Sequence, residues 1–286
     1  MPRDPSFEVE ITGDVSPGER LLVGIADPGV AGLTAADYLV NNVETNQIGH
    51  IATHHLPDLT PFSEGSPRHP LRLYSTESSD VTVLIGEVFL PLAVTDPFAE
   101  ALTQWTTASR IDEITILYGS PFPHAEEEHV VFHVGTDEYR RRHFPASLDQ
   151  SSGDDEENVK ENVKKKGKRK TEEKEGDDEE AIPPLAGGFF DGVVAELVSR
   201  SLDGDLPPTG VLITPTHLPG PDLDAALRLL DGAETVYGID VDETELQRRS
   251  EEVHEYYEEL AQRLQTYRNN DTSYTDREYP DDHMYM

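Results

Sequence analysis

The chain has 286 residues, 36% of them hydrophobic, and a formal net charge of -34 from 57 acidic against 23 basic side chains. That charge repels nucleic acid and anionic membrane, both of which need Lys or Arg to neutralise phosphate, and the absence of cysteine excludes disulfides, thiolate metal sites and a cysteine nucleophile. No run reaches the 18 or more consecutive apolar residues of a membrane span, and Met1-Pro2-Arg3-Asp4-Pro5 has no signal-peptide core, so a cytoplasmic protein is expected.

Phe7 to Ile11 alternates like a half-buried strand, and Arg20 to Ala26 reads as a buried one. Asp27-Pro28-Gly29 then turns the chain, and Val30, Leu33, Ala36, Tyr38 and Leu39 follow a helical period, which makes a strand-turn-helix unit. Ile48 to His54 and Leu71 to Ser75 are further strands. Between them lies an exposed loop with Pro57, Pro61, Pro67 and Pro70, residues that break a helix or an inner strand. Val81 to Gly86 is the next buried strand. After Pro91 a helix is expected from Asp96 to Ser109, with Asp96 as its cap and Pro97 at its first position. Ile114 to Leu117 returns to the sheet, Val130 to Val134 is a short strand, and Thr136 to Phe144 a charged helix.

From about Pro145 to Glu180 the chain is Ser, Gly, Asp, Glu and Lys, too polar to offset the entropy of ordering. All seven lysines fall here, between Lys160 and Lys174. The flanking acidic runs make the basic centre a self-neutralising solvated loop rather than a nucleic-acid patch. Elsewhere arginine is the only permanent side-chain cation amid a large acidic excess. That balance resembles proteins adapted to molar salt, where a Debye length of about 3 Å screens self-repulsion; salt-dependent stability is expected.

Folded sequence resumes at Ile182, with a helix from Phe189 to Leu202, a strand at Val211 to Ile213 and a helix from Pro221 to Leu230. A last helix, Glu243 to Tyr267, aligns Leu246, Val253, Tyr257, Leu260, Leu264 and Tyr267 on one face, which either packs on its own sheet or joins subunits. Strands alternating with helices indicate a three-layer α/β/α domain with a largely parallel sheet. Its first part is 1–144, a disordered charged insertion is 145–181, the second part is 182–267, and 268–286 is a flexible tail.

The histidines invite a metal or catalytic reading. His54 and His55 end a strand, and His124, His129 and His133 lie near Glu126, Glu127 and Glu128. A strand sets positions four apart some ~13 Å from each other, and no HExxH arrangement is present, so these read as solvated surface histidines. Gly119-Ser120-Pro121 is no nucleophile elbow, and Gly24 to Gly29 lacks GxGxxG spacing and carries an acid where phosphate would approach. No metal, cofactor or catalytic residue is expected. Two glycine-rich junctions, Asp27 to Gly32 and Pro183 to Gly188, lead into helices as tight turns.

The run from Asp27-Pro28-Gly29-Val30-Ala31-Gly32 to Ala36-Asp37-Tyr38-Leu39 resembles the Pro-Gly, Gly, Ala-x-Tyr-Leu opening of the archaeal proteasome assembly chaperone family, with Thr34 near the place where members often carry a further glycine. Gly86-Glu87, Gly119-Ser120-Pro121, Gly187-Gly188, Val211 to Thr216, Leu218-Pro219-Gly220-Pro221-Asp222 and Gly238-Ile239-Asp240-Val241-Asp242 follow in the family's order, across about 20 to 265 without the insertion. The resemblance implies a nucleoside-phosphorylase-like fold used by a non-enzymatic homo-oligomer, which assists assembly of the 20S proteasome or docks on its α-ring. It makes the opening motif scaffold rather than an active site.

Arg268 to His283 is polar, acidic and aperiodic, a tether reaching about 20 to 25 Å as a random coil. It leads to Met284-Tyr285-Met286, which is similar to the hydrophobic-Tyr-X tails by which proteasome activators enter pockets between α-subunits. In that role Met286 presents its carboxylate to a pocket lysine, Tyr285 buries its ring, and Met284 fills an apolar recess. Two other readings stand beside this one: an enzyme of the nucleoside phosphorylase or hydrolase class, and a ligand-binding scaffold whose tail is irrelevant.

Overall fold

Runs without a polar break, such as Leu21-Leu22-Val23 and Val83-Leu84-Ile85, become strands buried on both faces, as the centre of a parallel sheet requires. The computed structural model describes residues 6–54, 60–77, 79–122, 129–147, 182–217 and 221–252. In chain order they form β1 (Ser6–Ile11), β2 (Arg20–Ile25), α1 (Ala31–Asn42), β3 (Thr45–His54), a small hairpin of β4 (Phe62–Ser63) and β5 (Ser66–Pro67), β6 (Leu71–Thr76) and β7 (Val81–Gly86). Then come α2 (Thr95–Ser109), β8 (Glu113–Ser120), β9 (Phe132–Gly135), α3 (Asp137–His143), α4 (Gly192–Asp203), β10 (Thr209–Pro215) and α5 (Leu223–Tyr237). The chain divides into a unit ending at Asp242 and a second beginning at Glu243; within the second, residues 244–252 are helical.

Eight strands make one sheet in the order β1-β3-β6-β7-β2-β8-β10-β9. The centre, β7-β2-β8-β10, is parallel, as expected, whereas both margins pair antiparallel, β3 with β1 and β6 on one side and β9 with β10 on the other. The sheet is therefore mixed. Helices cover both faces: α1 and α5 pack together on one, α2 and α4 on the other. Period-two alternation sorts the side chains. Leu21, Val23 and Ile25 meet Phe98, Leu102 and Trp105 of α2 and Val194 and Leu197 of α4, while Gly24 faces α1, where a Cβ would come within 2.2 Å of the Ala36 Cβ. Arg200 ties α4 to α2 through Asp96 at 2.6 Å and Glu100 at 2.8 Å.

Three expected boundaries move. A 3₁₀ turn at Leu92–Val94 runs straight into α2, so Val94 takes the N-cap position and Asp96, inside the first turn, pairs with Arg200 instead of capping. The helix expected from Phe189 begins at Gly192, which leaves Phe189 94% exposed. The helix expected to stop at Leu230 continues to Tyr237, through Gly232, where a Cβ would lie 3.2 Å from Leu212 Cδ1. Pro145–Ser147, placed in the insertion by composition, form a 3₁₀ turn. Residues 148–181 and 253–286, with the insertion, the rest of the last helix and the tail, lie outside the described residues.

Candidate functional site

The turn after β2 is held by one buried carboxylate. Asp27 Oδ2 accepts the N–H groups of Gly119 at 2.6 Å and Gly32 at 3.2 Å, which fastens the start of α1 to the end of β8. Asp27 Oδ1 is buried without a partner among the described residues. Burial pushes this carboxyl up to about 6, against the lowering influence of nearby backbone N–H groups, those of Gly119 and Gly32 foremost. The backbone here is crowded. Gly29 has φ 91° and Val30, a β-branched residue, has φ 59°, a conformation that needs support from its surroundings. A Cβ on Gly32 would lie 2.1 Å from the Leu117 carbonyl oxygen.

Beside the ends of β2 and β8 opens a pocket of about 850 Å³, lined among others by Asp27, Tyr118, Ser120, Phe122, Phe190 and Asp191. Crevices outside the carboxyl ends of parallel strands are the usual ligand sites of open α/β sheets. The described lining contains two aspartates and no Lys, Arg or His, so it disfavours phosphate and suits an apolar body with a donor or cationic head. Burial, with the charges of Asp191 and Asp27, raises the Tyr118 hydroxyl. Phe89, Leu92 and Phe189 also line the pocket and are themselves largely exposed.

The histidines depart from expectation. His54 is exposed, but His133 is buried, stacked on Phe144 at 3.9 Å with its Nδ1–H donating to the Ile182 carbonyl at 3.0 Å. His129 is also largely buried, and its Nε2 lies 3.2 Å from Asp222 Oδ2. Neither is a solvated surface residue. His133 is drawn in because β9 pairs with β10 and turns that side chain inward against α3's end. His217, with Nδ1 3.1 Å from the same Asp222 oxygen, joins His129, a grouping that sequence spacing does not reveal. His55, His124 and Glu126 to Glu128 lie outside the described residues, as do Met284, Tyr285 and Met286.

The family profile described as PAC2 family matches residues 21–261. The chain belongs to the PAC2 family. Among solved structures, PbaA of Pyrococcus furiosus, described as an archaeal homolog of proteasome-assembly chaperone, aligns with TM-score 0.68 at 17% identity, over 94% of this chain and 99% of that one. PbaB of Pyrococcus furiosus, described as an archaeal proteasome activator, aligns with TM-score 0.67 at 15% identity, over 90% and 99%. A Thermoplasma acidophilum protein of unknown function aligns with TM-score 0.61 at 22% identity, over 90% and 91%. At such identities the likeness is one of fold. No curated protein matches the chain.

In this PAC2 chain the motifs read from sequence fall at structural junctions. Glu87, just past β7, accepts from Arg68 at 2.5 Å and from the fully buried Arg72 at 2.6 Å. The Pro-x-x-Asp start ends in Asp222, the N-cap of α5, whose Oδ1 accepts the Ala225 N–H at 3.0 Å. Asp222 N–H in turn donates to the Gly29 carbonyl at 2.9 Å, so the opening and late PAC2 motifs touch. Among the described residues no helix is long and apolar enough to cross a membrane.

Proposed function

We propose that this PAC2 protein is a non-enzymatic, cytoplasmic proteasome-binding protein. It acts as a homo-oligomer with a nucleoside-phosphorylase-like fold and docks Met284-Tyr285-Met286 into pockets of the 20S α-ring, as assembly factor or activator. The observation that carries the reading is the family match across residues 21–261, beside solved relatives described as a proteasome-assembly chaperone homolog and a proteasome activator. The tail mechanism takes Met286 as bearing the free carboxylate. A three-residue anchor binds weakly alone, so several tails on one oligomer supply avidity. The charge of -34, with every lysine confined to Lys160–Lys174, supports a working environment of high salt.

The test is co-purification of 20S particles, in molar salt, with the intact chain and with a variant lacking Met284 to Met286. Binding that disappears on truncation supports tail docking; undiminished binding overturns it. The pocket beside Asp27 favours a second reading, a ligand-binding scaffold, in which truncation leaves partner binding unchanged and ligand occupancy of that pocket alters it.

A further inference from the structure

We propose that His129, His217 and Asp222 form a binding site for one divalent transition cation, zinc foremost. The three candidate ligand atoms, one from each residue, lie within 4.8 Å of one another. His129 Nε2 stands 3.2 Å and His217 Nδ1 3.1 Å from Asp222 Oδ2. Ligands at the usual zinc distances of about 2.0–2.2 Å, arranged tetrahedrally, are separated by ~3.3 Å, so both nitrogen-to-oxygen edges already have the right length.

The metal-free hydrogen bonding is over-subscribed at this oxygen. Asp222 Oδ1 is engaged by the Ala225 N–H, while the backbone N–H of His217 at 2.7 Å and both imidazole nitrogens converge on Oδ2. A carboxylate only accepts, so each ring must direct a proton at an oxygen that already accepts the shorter bond from the His217 N–H. A cation removes the conflict: each ring keeps its proton on the other nitrogen and turns a lone pair inward, and the His217 N–H remains as the outer-shell bond that orients the carboxylate.

The ligands sit on anchored backbone. Thr216, next to His217, donates its N–H to the Ser120 carbonyl at 3.0 Å and its hydroxyl to the Pro28 carbonyl at 3.1 Å, and the Asp222 N–H is held by Gly29. The His129 side chain is 5% exposed and that of His217 is 44% exposed, so the site is reached from solvent on the His217 side. Two imidazoles and one carboxylate favour zinc, nickel or cobalt over magnesium and calcium, which prefer all-oxygen shells. A bound ion would clasp the segment before β9 to the turn before α5.

The experiment is a Co²⁺ titration of the chelator-stripped full chain, read by its visible ligand-field bands, followed by Zn²⁺ displacement and calorimetry. One equivalent is expected to bind, Zn²⁺ to displace it, and an equal concentration of Mg²⁺ not to compete. His217→Ala alters a half-exposed side chain, and Asp222→Asn preserves the helix cap. Each is expected to weaken binding at least ~10-fold, since loss of an outer-shell partner alone costs about 10- to 100-fold. No saturable binding by the wild type, equal competition by Mg²⁺, or unchanged affinity in both variants overturns the site. Deleting Met284 to Met286 is expected to leave metal affinity unchanged, which separates this inference from the tail reading.

Discussion

Two buried aspartates stand in adjoining turns and meet opposite fates. Asp27 is 4% exposed and Asp222 is 8% exposed, so burial alone would raise both carboxyl groups. Asp27 receives two backbone N–H groups on one oxygen and nothing on the other among the described residues, and burial wins, at about 6. At Asp222 the same burial is outweighed by His129 and by the N–H groups of Ala225 and His217, which hold the carboxyl well below the usual range. The His129 contact on Asp222, which has no counterpart at Asp27, separates the two acids, not depth. One turn is fastened by an acid that resists ionisation, the other by an acid held in its ionised form.

Gly32 is the most sensitive position in the Asp27 turn. A Cβ there would strike the Leu117 carbonyl oxygen and come within 3.1 Å of Asp27 Oδ2, so Gly32→Ala should lower stability by about 3 kcal/mol or more, measured as a shift in the urea midpoint. Asp27→Asn sharpens the contrast through pH. A carboxyl raised from 3.8 to about 6 binds its proton more tightly in the folded state. Its contribution is greatest below about pH 4, declines as pH rises to 6 and is constant above, a total of about 3 kcal/mol at 1.36 kcal/mol per unit. The wild type should lose stability relative to the Asn variant across that window and nowhere else. Parallel pH profiles would contradict a raised Asp27 carboxyl. Smallest is Val30→Gly: the left-handed backbone at φ 59° costs a non-glycine residue about 1–2 kcal/mol, partly offset by the greater unfolded freedom of glycine. A net gain of about 0.5–1 kcal/mol is expected in the same unfolding measurement.

Local patterning made most strands legible. The alternation of Phe7 to Ile11 and the apolar runs of β2, β7, β8 and β10 depend on nearest neighbours in sequence, and the expected strands are found there. Boundaries set by packing were less visible. The helix expected to end at Leu230 runs on through Gly232 to Tyr237, and the cap expected at Asp96 was lost to the preceding 3₁₀ turn and to Arg200 across the helix pair. The antiparallel margins also escape a reading that takes strand-helix alternation as parallel throughout, because among the described residues between β3 and β6 stand the short strands β4 and β5 and no helix. The histidine cluster was the least legible. His129 and Asp222 are 93 positions apart and meet only because β10 lies between β8 and β9. The usable signal was modest: a histidine just past the end of a buried strand, five residues before a capping aspartate.

The most direct measurement is the affinity of 20S particles for the full chain and for Tyr285→Ala, in molar salt. The substitution removes the ring that the proposed docking would bury and changes nothing else in the sequence. Because avidity multiplies each weakened contact, apparent affinity should fall by about 100-fold or more. Equal affinity for the two chains would contradict docking through Met284-Tyr285-Met286.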